Sequence, residues 1–269
     1  METLFRNSRI KLSQGLLFWR EVGSGAPIVF LHGTWTDSSQ WVKVMEVLSR
    51  EFHCFAPDLL GFGESEFPNI HYSVNLQVEL INEFLDALKL ERVYLVGHSL
   101  GGWIAATHAL KYPERVSKLI LISPEGVGIE GIESHWQRMR NILMRSDFTF
   151  GLLRFIRPLA KLFGWKIDLE ADLKLRQIME GSPTACELIF NRQNAEIKAE
   201  LLDNRLYGMM PPTLILQGGE DSQEAVTKSK IYTQSIHGAK LKFIAHAGHD
   251  LPETSVLDVA GEIRNFLRE

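Results

Sequence analysis

The stretch LVGHSLGG, residues 95–102, sets a serine among three glycines. Serine is a weak nucleophile at neutral pH and attacks a carbonyl only when a base stands within hydrogen-bond reach. The apolar run YLVG before Ser99 and the segment LGGWIAATHAL after it read as strand, sharp turn and helix. Such a turn holds its serine in a strained backbone conformation. Gly97 and Gly101 lack the β-carbons that would collide there, and Gly102 lets the following helix lie close to the sheet. The strain lifts the Ser99 hydroxyl clear and aims the Leu100 N–H at the same point. A helix N-terminus begins there, and its dipole favours a developing negative charge.

Among nine histidines, His249 is the expected base. It lies in FIAHAGHDLPET, after the last strand-like run and before the last helix, and loops after parallel strands share the edge that carries Ser99. His246 is the rival. His98 is expected to pack on the far side of the turn, and His32 to brace its own loop. A histidine base needs an acid to fix its tautomer and stabilise the imidazolium. Asp221 in LILQGGEDSQ is the first choice, because it follows the penultimate strand. Glu125 in LILISPEG is the second. Asp58 in APDLLGFGES reads as structural, bonding the backbone of its own glycine turn. An oxyanion also needs two donors: Leu100 N–H is one, and Thr34 N–H in FLHGTWTDSSQW is the other, with Trp35 N–H as second choice.

The elements that must position these groups follow from hydrophobic periodicity. Apolar runs at 28–31, 52–56, 93–96, 119–122, 213–216 and 241–245 have the look of buried parallel strands. Helical stretches lie between them at 39–50, 74–88, 100–111, 223–235 and 255–267. In the last, Val256, Val259, Ala260, Ile263, Phe266 and Leu267 form one apolar stripe. Residues 10–22, with Gly15 near their middle, read as an opening antiparallel hairpin. The alternation predicts an α/β chain whose parallel sheet is flanked by helices. Core segments 1–123 and 211–269 enclose an insertion, 124–210, which is helical in character and too long for a loop. It leaves the sheet at a strand's C-terminal end, so it reads as a lid over a substrate pocket.

Composition excludes several classes. The chain has 269 residues, 45 % hydrophobic and 23 % charged, with a net charge of −4. It has no large basic excess for nucleic acid. No apolar run approaches a membrane span. The N-terminal METLFRNSRIK lacks a signal-peptide core, and Cys54 and Cys186 read as buried thiols; both point to a cytoplasmic protein. Oligomeric state is not readable. Trp35, Trp103 and Trp136 are candidates to line an apolar acyl pocket, with core packing as the alternative for each. Arg138, Arg140, Arg154 and Arg157 read as solvated surface of the insertion, with contact to an anionic substrate as the alternative.

With these residues assembled, the chain resembles the α/β-hydrolase family. The likeness rests on HGTW at 32–35, PDLLGFGES at 57–65, GHSLGG at 97–102, GGED at 218–221 and AGH at 247–249. It implies a mostly parallel eight-stranded sheet, a helical cap after the sixth strand, and Ser99, Asp221 and His249 as nucleophile, acid and base. It implies hydrolysis through a covalent acyl-enzyme. The default substrate expected is a small or medium carboxylic ester, an apolar small molecule, and the mechanism needs no metal or organic cofactor. The alternatives are carbon–carbon bond hydrolysis, thioester hydrolysis, cofactor-free perhydrolysis, and a ligand-binding or receptor protein that retains the three residues.

Overall fold

Short runs of Val, Ile, Leu and Phe become strands, and the amphipathic stretches between them become the helices that cover both faces. The computed structural model describes residues 4–146 and 169–269. Strands β1 (Arg6–Lys11), β2 (Leu16–Gly23), β3 (Ala26–Leu31), β4 (Phe52–Pro57), β5 (Val93–His98), β6 (Val116–Ile122), β7 (Thr213–Gly218) and β8 (Lys240–Ile244) form one sheet. Its order is β1-β2-β4-β3-β5-β6-β7-β8. The expected hairpin is β1–β2, and β2 also runs antiparallel to β4; every other pairing is parallel. The eight-stranded, mostly parallel sheet therefore stands as expected. Both edge strands carry charge: Arg6, Arg9 and Lys11 on β1, Lys240 and Lys242 on β8. Charged edges oppose strand addition from another chain.

Among the described residues the α-helices of seven residues or more are α1 (Val42–Leu48), α2 (Val74–Ala87), α3 (Leu100–Lys111), α4 (Ile132–Met144), α5 (Leu169–Glu180), α6 (Asn194–Glu200), α7 (Gln223–Ser235) and α8 (Val256–Arg268). Ser73 caps α2 by accepting the Leu76 N–H, and Ser222 caps α7 by accepting that of Ala225; a cap of this kind contributes about 1 kcal/mol. The stripe on α8 is buried at Val259, Ala260, Ile263, Phe266 and Leu267. It shares one core with Ile28, Phe30, Trp41, Met45, Val96, Ile120 and Leu214. Burying each large apolar side chain contributes about 1.5–3 kcal/mol, so this core fixes the sheet that carries the strand ends. Cys54 and Cys186 are buried free thiols, and burial pushes both up to about 12.

The chain divides into two compact units, Met1–Ile129 with Glu200–Glu269, and Glu130–Ala199. The second unit falls between β6 and β7 in sequence and, among the described residues, contains helices and no strand. Within it, Arg140 donates to the carbonyls of Phe190 and Arg192 and to Asn194 Oδ1, and Arg138 pairs with Asp172. Arg140 is thus an internal brace and not the solvated surface expected of it, because the turn at Glu187–Asn191 leaves carbonyls that need donors. The helical reading of residues 150–165, with Arg154 and Arg157, lies outside the described residues. No helix among those described is long and apolar enough to cross a membrane.

Candidate active site

Strands β3, β5, β6, β7 and β8 are parallel, so their C-terminal ends share one edge. Strand order reverses between β3 and β5, the place where open α/β sheets form a crevice. Thr34 follows β3 and Ser99 follows β5, one on each side of that reversal. Asp221 follows β7 and His249 follows β8.

Ser99 has φ 52° and ψ −114°, a left-handed conformation that a residue with a side chain adopts only under constraint. The constraint is the packing predicted for the glycines. A β-carbon on Gly97 would lie 2.2 Å from the Gly101 carbonyl oxygen, and one on Gly101 would lie 2.3 Å from that of Leu31. The turn is held from below by Ser99 N donating to Ile122 O at 2.9 Å, and from the side by Glu125 N donating to Ser99 O at 3.0 Å. Gly101→Ala should therefore lower the free energy of unfolding by about 3 kcal/mol, the upper range for overpacking. A denaturant midpoint equal to that of wild type would refute this account of the turn.

Asp221 and His249 are joined: His249 Nδ1 donates to Asp221 Oδ2 at 2.9 Å. The same oxygen accepts from Gln217 Nε2 at 3.0 Å, and Oδ1 accepts from Ser222 N at 2.7 Å. Burial works to raise the Asp221 carboxyl. The His249 hydrogen bond and charge, the Ser222 N–H and the Gln217 amide outweigh it and bring the group down to about 2. The Asp221 side chain is only 4 % exposed, whereas that of His249 is 44 % exposed and open to a reactant. For His249, burial opposes the charged ring, but the Asp221 bond and charge, helped by the charge of Glu125, raise it above the ordinary 6.5. Only the neutral ring takes a proton, and a raised value keeps the ring protonated to higher pH. The kcat/KM of an acyl substrate should thus climb with pH through a midpoint above 6.5. A limb below that value in a pH–rate profile would contradict the Asp221–His249 pairing.

Ser99 Oγ meets Thr34 Oγ1 at 3.4 Å, and makes no hydrogen bond to the His249 ring in this structure. Catalytic bonds of this type often tighten only with substrate in place. The neighbouring His98 does reach His249: its ring centroid is 5.0 Å from that of His249, and its Nε2 lies 2.8 Å from the His249 carbonyl oxygen. Among the described residues, neither Leu100 N nor Thr34 N is spent on a turn or loop carbonyl.

The other candidates separate clearly. His246 is 95 % exposed and stands 3.8 Å from Glu220. Glu125 is engaged by Lys228 Nζ at 2.6 Å. His32 is buried, with Nδ1 donating to Gly33 O and Nε2 accepting from Leu59 N, so it braces its loop as expected. Asp58 accepts from Ser38 N and Glu64 N, both at 2.7 Å, and so ties its glycine turn to the loop after β3. Trp103 is buried beneath Gly126 and donates its Nε1 to Glu200 O. Trp35 is half-buried, and Trp136 is buried on α4 of the second unit. Among the described residues no group of three His, Cys, Asp or Glu could hold a metal ion.

Two polar residues in the site were not anticipated. Gln217 is fully buried at the end of β7, where Ser229 Oγ donates to its Oε1 at 2.6 Å and orients the amide toward Asp221. Gln40 accepts from Gly33 N at 3.0 Å and so shapes the loop that carries Thr34. A glutamine ending the otherwise apolar run TLIL was the visible signal for the first; nothing in the sequence marked the second.

The model of the alpha/beta hydrolase fold family matches residues 26–255. A 2-hydroxy-6-oxo-2,4-heptadienoate hydrolase of Pseudomonas putida is 41 % identical over 123 residues, 43 % of this chain and 45 % of that protein. The 1-acylglycerol-3-phosphate O-acyltransferase ABHD5 of Mus musculus is 39 % identical over 131 residues, 45 % of this chain and 37 % of that protein. The chain thus spans less than half the length of these curated relatives. The crystal structure of a hydrolase from Pseudomonas aeruginosa superposes with a TM-score of 0.75 at 24 % identity, over 97 % of this chain and 98 % of the other. Sheet order, strained serine turn and family match agree: this chain belongs to the alpha/beta hydrolase family.

Proposed function

We propose that this protein is a serine hydrolase that cleaves a small or medium carboxylic ester through an acyl-enzyme. The observation that carries the reading is the Asp221–His249 hydrogen bond on the same sheet edge as a serine held at positive φ. In the proposed mechanism His249 Nε2 takes the Ser99 proton as Oγ attacks the carbonyl carbon. The Leu100 and Thr34 N–H groups receive the oxyanion; losing one such donor typically costs about 3 kcal/mol of barrier. His249 then gives its proton to the leaving alcohol. Water, activated by the same ring, attacks the acyl group and releases acid and Ser99. Asp221 keeps Nδ1 protonated throughout, which leaves Nε2 as the basic nitrogen.

A second reading has its own support. The substrate named for the Pseudomonas putida relative, a hydroxy-oxo-heptadienoate, contains no ester, so its hydrolysis must break a carbon–carbon bond. The same three residues would serve that chemistry, with a carbanion equivalent leaving in place of an alkoxide. One experiment separates the two. One portion of the purified protein is treated with a fluorophosphonate, and a second, untreated portion is assayed on p-nitrophenyl esters of increasing acyl length and on a 6-oxo-2,4-dienoate. Labelling with turnover that peaks at one acyl length supports the ester reading. Labelling with turnover of the dienoate alone moves the assignment to carbon–carbon hydrolysis. An unlabelled protein inert to both would leave a ligand-binding member of the family.

A further inference from the structure

The residue beside the nucleophile connects parts of the site that sequence separates widely. His98 is buried at the end of β5. Its Nε2 lies 2.8 Å from the His249 carbonyl oxygen, a group that can only accept, so Nε2 holds the ring's proton and donates it there. On the other side, Nδ1 lies 3.2 Å from Gln40 Oε1, and that oxygen takes the Gly33 N–H at 3.0 Å. The ring also fills the space above Gly33, where a β-carbon would come within 2.6 Å of Nδ1. One imidazole therefore touches the loop that bears the base and the loop that bears Thr34, and it is covalently next to Ser99.

We infer that His98 is a positioning residue: it sets the distance of the His249 backbone from the Ser99 turn and from the oxyanion loop by bonding one loop and propping the other. The inference rests on the serine hydrolase reading for its kinetic consequences, but not for its geometry. The neutral ring donates to the His249 carbonyl alone; its unprotonated Nδ1 makes no hydrogen bond to Gln40 Oε1, also an acceptor, and props that side by contact. Burial, and next to it the charge of His249, bring His98 down to about 3, so the ring is neutral wherever His249 titrates. Asp221 and His32 are the other charged or titratable groups that act on it. Those acting on His249 are Asp221, Glu125 and Lys228.

Two variants isolate the bond from the packing. His98→Phe keeps a ring of similar volume without the N–H, and His98→Gln offers an amide N–H along the same direction. For His98→Phe the expected result on a turned-over ester is a kcat lower by about 10- to 100-fold with KM within about threefold, the signature of a displaced catalytic group. The pH limb should move down toward the ordinary histidine value, because a loosened His249 loses part of the Asp221 contact that raises it. His98→Gln should return kcat to within about threefold of wild type. A His98→Phe enzyme within about twofold of wild type, with its limb unmoved, would overturn the inference. So would equal losses in both variants with an unmoved limb and a lowered unfolding midpoint, which would mark a purely structural residue. The His249 ring titration followed by NMR needs no substrate. An inert wild type would sink the hydrolase reading alone, while an NMR midpoint unchanged in His98→Phe would sink the role of His98.

Discussion

Ser99→Ala should abolish turnover of whichever acyl compound proves to be the substrate, with kcat lower by about 10⁶-fold, and should abolish fluorophosphonate labelling at the same time. Loss of the nucleophile in a cooperating triad costs about this much because the remaining members then have nothing to activate. The residue left behind, about 10³- to 10⁴-fold over water, would come from the Leu100 and Thr34 N–H groups and from binding. The fold should not suffer. The hydroxyl is buried and, among the described residues, is hydrogen-bonded only to Thr34 Oγ1, at 3.4 Å, and alanine feels the same positive φ as serine. Unfolding in denaturant should shift by less than about 1 kcal/mol. The two readouts guard each other: activity lost with the midpoint kept assigns the attack to this oxygen. A loss of less than about 100-fold would place the attacking atom elsewhere and would remove the proposed mechanism.

The strands were legible because parallel strands buried on both faces leave unbroken apolar runs, and the runs at 28–31, 93–96 and 213–216 lie inside β3, β5 and β7. The serine turn was legible because its sterics demand glycine at fixed offsets. Asp221 and His249 were legible by position, each in the loop after a strand. What the sequence hid is the contact between loops. Gln40 and His98 lie 58 residues apart, His98 and His249 151 apart, and no local period records such a meeting. His98 read as packing, and it does pack; its bond to the His249 backbone depends on where β8 ends relative to β5. The borders of the insertion were hidden for the same reason. Read as 124–210, it separates as Glu130–Ala199. The flanks belong to the first unit because Leu202 N donates to Gly126 O, Gly128 N to the Asp203 carboxylate, and Trp103 Nε1 to Glu200 O.

Asp221→Asn tests the site at its least replaceable point. Every group facing the carboxylate is a donor: His249 Nδ1 and Gln217 Nε2 at Oδ2, Ser222 N at Oδ1. An amide has one oxygen and one NH₂, so one side must set donor against donor. If the NH₂ faces Ser222 N, the bond of 2.7 Å is lost, and the oxygen left for His249 carries no charge. If it faces His249, the imidazole must accept at Nδ1, which puts its proton on Nε2, where the Ser99 hydroxyl needs a lone pair. Either way kcat should fall, by about 10⁴-fold where the tautomer is wrong. Stability should fall by about 1–3 kcal/mol for the weakened charged hydrogen bonds, less than the roughly 5–15 kcal/mol that holds a domain together. Without the carboxylate's charge His249 is no longer raised, so the limb of residual activity should move to lower pH. Turnover near wild type would pass the acid role to Glu125. A large loss with an unshifted limb would mean that Asp221 orients the ring without stabilising its charge. The fall in kcat joined to a downward limb is the result that only the observed pairing produces.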